Sequence, residues 1–170
     1  MDIFSYLLGK KNSGGGGSSS DYFTNEIGFS GAGSMIKKIP DNIALSNEVT
    51  SLRGFFYEWV NLISVPEFDT SNITVFEGAF YGCVSLENVP QFDGSSVTGS
   101  SSELLQHMFE ECGNLSNESL RNILKFLLTC VNYTGSKRLR FIGLNSTQAN
   151  YCTTLNEWTT LENQGWTTGY

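Results

Sequence analysis

From about residue 36 onward, large apolar residues return in a fixed order, separated by short polar runs. Phe56 to Thr74 reads FYEWVNLISVPEFDTSNIT and Phe80 to Thr98 reads FYGCVSLENVPQFDGSSVT. Phe56/Phe80, Trp59/Cys83, Leu62/Leu86, Val65/Val89, Pro66/Pro90, Phe68/Phe92, Asp69/Asp93 and Thr74/Thr98 coincide at an offset of 24 residues. Self-similarity at such an offset predicts a stack of supersecondary units, none able to bury its apolar face alone. Upstream, Ile36, Ile39, Pro40, Val49 and Thr50 form a looser copy. Downstream, Met108 to Leu115 restarts the motif at an offset of 29, which places five extra residues near Gly99 to Ser102.

The spacing within a unit predicts its shape. Phe80, Cys83 and Leu86 are three apart, as in one helical turn leading into a short strand whose Leu86 and Val89 point inward. Pro90 has no backbone donor and fixes its own φ, so the strand ends there. Asp69 and Asp93, each followed by Ser and Thr residues, carry oxygens that bond nearby N–H groups in a tight turn.

The pattern F-x-x-C-x-x-L-x-x-V-P-x-F-D-x-S-x-V-T resembles the BspA-like leucine-rich repeats of bacterial surface proteins and some phage proteins, over roughly residues 35 to 115. Trp59 departs from it at the first Cys position, and the third copy leaves it after Leu115. The resemblance implies an α/β fold: a short right-handed leucine-rich-repeat solenoid with a parallel sheet on one face and short helices on the other. It also implies a role in adhesion or partner recognition.

After Leu115 the period changes. Leu120, Ile123, Leu124, Leu127, Leu128 and Val131 lie three and four apart, predicting an amphipathic helix over Ser116 to Val131, capped by Ser116 or Asn117. Leu139 to Ile142 reads as a strand and Ser146 to Leu161 as a second helix. Gly165 to Tyr170 reads as a last short strand. Residues 116–170 are thus expected to be a helical C-terminal cap of a domain whose repeats span 21–115.

The opening segment is of another kind. Residues 1–11 read MDIFSYLLGKK, and residues 12–20, NSGGGGSSS, have the composition of a flexible spacer reaching roughly 17 Å. Ile3, Phe4, Tyr6, Leu7 and Leu8 beside Asp2, Lys10 and Lys11 suit a short helix that needs a partner to persist. The expectation is an anchor peptide docking an apolar face into a groove on another protein; the alternative is a tail folded loosely on the repeats. Asp2 and the two lysines argue against a signal peptide, and no run reaches membrane-spanning length. This opening also resembles small structural proteins of phages that infect Gram-positive bacteria.

Composition narrows the choice. With 170 residues, one domain and a tail fit the length, and a net charge of −7 argues against nucleic acid as partner. Cys83, Cys112, Cys130 and Cys152 contain no CxxC pair and read as buried thiols, with a Cys83–Cys112 disulfide left open. His107 is the only histidine, and no nucleophile elbow or phosphate-binding loop occurs. No catalytic residue, metal or cofactor is therefore assigned.

The expected function is that of a non-enzymatic virion structural protein in a phage tail, baseplate or capsid, made in the host cytoplasm. Residues 1–11 would join other virion proteins. The repeats would display Lys37, Lys38, Ile63, Ser64, Glu87 and Asn88 toward a host-surface protein or glycan. The alternative is a bacterial cell-surface adhesin or interaction module.

Overall fold

The computed structural model of the chain describes residues 22–23, 36–39, 44–45 and 49–170. The repeats stack, and they do so through turns. Leu52, Gly54, Phe56 and Glu58 donate their amides to the carbonyls of Val75, Glu77, Ala79 and Tyr81 at 2.7–2.9 Å. The amides between them, of Phe55, Tyr57 and Trp59, close tight turns on the residue three back. Alternate amides thus point along the stack and back into their own turn.

The next pair of rungs repeats the arrangement. Phe76, Gly78, Phe80 and Gly82 donate to Leu104, Gln106, Met108 and Glu110, while Ala79, Tyr81 and Cys83 turn back. Left-handed φ values recur at matching places: Gly54, Gly78 and His107 at 56–58°, and Glu58, Gly82 and Glu111 at 57–72°. A left-handed residue every fourth position re-aims the backbone and keeps the turn run flat.

This overturns the expected α/β solenoid with a parallel sheet. Among the described residues, sheet pairing is limited to β1 (Tyr22–Phe23) beside β2 (Ala44–Leu45), in parallel register Tyr22↔Ala44 and Phe23↔Leu45. Elsewhere there are isolated parallel bridges, including Lys38↔Ser64↔Asn88 and Ser51↔Val75. The physical reason lies on both sides of each bridge. The turn run ends at Leu62 or Leu86, whose amide still bonds three residues back, and Pro66 or Pro90 removes a donor four residues later. Only three residues, 63–65 or 87–89, are left between them to pair. The segments after Asp69 and Asp93 are turns as well, so among the described residues these two repeats carry no α-helix on their other face.

The rungs are held together by an apolar file. Phe56, Phe80 and Phe109 are fully buried and stack with centroids 5.1 and 5.4 Å apart and planes within 9°. Leu62/Leu86, Val65/Val89 and Phe68/Phe92 are buried beside them.

Among the described residues, α-helices occur only after the third rung, and a short 3-10 helix at Ser102–Leu104 leads into it. α1 (Asn117–Thr129) is capped by Ser116, whose hydroxyl accepts from the Ser119 amide, and buries Leu120, Ile123, Leu124, Phe126 and Leu127. Its polar residues answer the open edge of the stack. Ser119 Oγ accepts from the Val89 amide at 2.9 Å and donates to the Glu87 carbonyl at 2.8 Å. Asn122 donates to the Val89 carbonyl, and the Gly94 amide donates to Thr129 Oγ1.

The expected strand at Leu139–Ile142 is instead a fourth turn rung. His107 and Phe109 donate to the Phe141 and Ile142 carbonyls, and Phe141 and Gly143 turn back three residues. The expected second helix is two helices, α2 (Ser146–Cys152) and α3 (Asn156–Asn163). The break falls at Thr153 and Thr154, whose hydroxyls donate to the Asn150 and Tyr151 carbonyls and compete with helix continuation. At the C-terminal end, a single parallel bridge, Arg138↔Thr167, stands in for the expected strand.

Candidate functional site

The expected anchor residues Ile3, Phe4, Tyr6, Leu7 and Leu8 lie outside the described residues. The six residues expected on the displayed face are described, and they fall into one file. Ile63 donates its amide to the Lys37 carbonyl at 2.7 Å, and Glu87 and Asn88 donate to the Ile63 carbonyl at 2.9 and 3.0 Å. Lys38, Ser64 and Asn88 are joined by the parallel bridges. Lys37, Lys38, Ile63, Glu87 and Asn88 are exposed and Ser64 is half-buried. The file stops at the next rung, where Ser116 donates its amide to the Glu87 carbonyl and α1 begins.

Beside this file lie Val60 and Val84, at the same repeat position on neighbouring rungs and both exposed. With Ile63 they make three of the five large apolar residues exposed among the described ones, and so set this edge apart from the rest of the surface. On the turn run itself, Tyr57 and Tyr81 stack with centroids 5.0 Å apart. Glu111 raises the Tyr81 hydroxyl above its ordinary pKa, burial adding to the effect.

The residue types that most often carry chemistry are occupied otherwise. Asp69 Oδ1 accepts from the amide and hydroxyl of Ser71, bonds that hold its carboxyl below the usual range, and Asp93 Oδ1 accepts from the Ser95 amide. Both are turn formers, as their spacing predicted. The four cysteines are buried and free, with no Cys83–Cys112 disulfide. Cys83 and Cys112 each donate a thiol hydrogen to the carbonyl of the preceding rung's Phe, Phe56 and Phe80, at 3.1 Å. Burial pushes Cys83, Cys130 and Cys152 up to about 12 and raises Cys112 likewise. No group of three His, Cys, Asp or Glu among the described residues is placed to hold a metal ion. Nor is any described helix long and apolar enough to cross a membrane.

A second feature was not foreseen in the sequence. Where the third rung meets the fourth, a cleft of about 950 Å³ opens, lined by His107, Glu110, Glu111, Arg138, Arg140 and Tyr170 among others. Its floor is set by Gly143, where φ is +98° and an added Cβ would sit 2.2 Å from the Glu110 nitrogen. Only glycine lets the fourth rung approach this closely. Tyr170 donates its hydroxyl to the Leu144 carbonyl and carries Arg140 Cζ 5.5 Å from its ring centroid. Burial raises the Tyr170 hydroxyl, Arg140 opposing and Glu110 reinforcing the shift. The one local sequence signal is the basic cluster Lys137, Arg138 and Arg140 ahead of Gly143, a pattern that suits a solvated turn equally well. None of the protein-family models, curated proteins and solved structures compared with the chain matches it.

Proposed function

We propose that the chain is a non-enzymatic structural protein of a virion, attached through residues 1–11 and displaying its stacked rungs for binding a protein or a host surface. One observation carries the binding part: the file of Lys37/Lys38, Ile63/Ser64 and Glu87/Asn88, flanked by exposed Val60 and Val84. Backbone bonds hold these pairs in line, so a partner meets a surface already ordered, which lowers the entropy cost of association. Exposed apolar side chains rimmed by charged and amide groups are the composition of a protein contact.

A non-catalytic role is supported by how the reactive residue types are used: the Asp carboxylates hold turns, the thiols are buried and His107 occupies a turn position. The attachment part rests on sequence, on five large apolar residues set before a Gly/Ser spacer. The likeness of that opening to phage structural proteins supports a virion as the particle.

Deleting residues 1–11 is the test. The shortened protein is expected to keep the circular dichroism and unfolding temperature of the full chain and to vanish from purified particles. Incorporation at the full-length level contradicts the attachment role.

A further inference from the structure

We infer that the cleft between the third and fourth rungs binds a small zwitterionic ligand, one carrying an anionic group and an ammonium group. The cleft presents both signs of charge without joining them. Among the described residues Arg138, Arg140 and Glu111 form no ion pair, and the one ionic neighbour of Glu110 is His107 at 3.4 Å. Opposite charges that line one concave space, yet stay apart, leave a dipolar field for a ligand to fill.

Each half of the ligand has a matching group. Arginine offers a planar fork of donors to carboxylate or phosphate. Arg140 is steadied by its position over the Tyr170 ring, and Tyr170 is itself tied to the Leu144 carbonyl. From the third rung, Glu110 and Glu111 supply carboxylates for the ammonium.

Backbone geometry adds a separate argument. The two left-handed positions are Gly54 and Glu58 in the first rung, and both are glycine, Gly78 and Gly82, in the second. Only in the third rung do both carry side chains, His107 and Glu111, and both line the cleft. Left-handed backbone is strained for such residues, and strain of this kind is tolerated at ligand sites. The site is distinct from the Lys38–Ser64–Asn88 file and does not depend on the virion reading.

Calorimetric titration of the full chain tests this with phosphoethanolamine and glycylglycine, using inorganic phosphate and ethanolamine as single-charge controls. At least one zwitterion is expected to bind saturably, at one per chain, and about tenfold or more tighter than either control. Whichever zwitterion binds tighter identifies the anionic half as phosphate or carboxylate. Arg140→Gln and Glu111→Gln are each expected to weaken that binding about tenfold with an unchanged unfolding temperature, and Arg138→Gln serves where one of them fails to fold. Failure of both zwitterions to bind, equal binding of the controls, or full affinity in the folded variants overturns the proposal.

Discussion

At the scale of single residues, the stack depends on positions that recur in both chemistry and conformation. Phe80 is fully buried between Phe56 and Phe109, with Phe92 5.8 Å away on a third side. Phe80→Ala empties that site, and the remaining rings are pinned by their own rungs. A loss of roughly 3–5 kcal/mol is expected in denaturant unfolding; a loss below about 1 kcal/mol rejects the ring file as the core.

The thiols make a second residue-scale prediction. Reaction with a thiol reagent needs the thiolate, and at pH 8 a group at about 12 supplies only about one in ten thousand. Cys83, Cys130 and Cys152 are expected to react only as the chain unfolds, and fast labelling of native protein contradicts their burial. The folded thiols also bind their protons more tightly than the unfolded ones. Their contribution to stability is therefore complete below the unfolded value near 9 and is lost as pH rises toward about 12.

At the scale of elements, the turn rung takes the place that strand and helix were expected to share. The apolar periodicity over Phe56 to Leu62 and Phe80 to Leu86 located the buried residues, because burial follows side-chain spacing. It could not reveal which way each amide points, since that depends on the sign of φ at Glu58, His107 and Glu111, residue types that do not announce a left-handed turn. The fourth rung was hidden for a related reason. Leu139 to Gly143 keeps apolar residues, Phe141 among them, but is not followed by the Pro and Asp that marked the first copies. By contrast α1 was legible, since one helix with one buried stripe and a Ser cap meets both of its requirements within thirteen residues.

α1 also shows how side chains close a stack of backbone groups. Ser119 is buried and serves both the Val89 amide and the Glu87 carbonyl. Ser119→Ala orphans the buried Val89 amide, whereas the Glu87 carbonyl keeps its bond from the Ser116 amide, so a loss of about 1–3 kcal/mol is expected. Ser119→Thr keeps the hydroxyl and is expected to restore part of that loss. Equal unfolding midpoints for Ser119→Ala and the parent remove this role from the helix.

At the scale of the whole molecule, the exposed file and the charged cleft lie on different parts of one stacked body, and the opening peptide stands outside both in sequence. The file was found from the repeat alone, because equivalent positions on successive units must align once the units stack. The cleft needed residues 107 and 170 to be brought together, a closure of 63 positions (170 minus 107) that no local pattern encodes.

The central claim, attachment by one end and display by the other, is tested most directly by amine cross-linking of purified particles followed by mass spectrometry. Lys10 and Lys11 mark the peptide, and Lys37 and Lys38 mark the displayed file. The account predicts cross-links from Lys10 or Lys11 to other virion proteins, with Lys37 and Lys38 linked to none of them. Cross-links to virion proteins from Lys37 and Lys38 alone would contradict it.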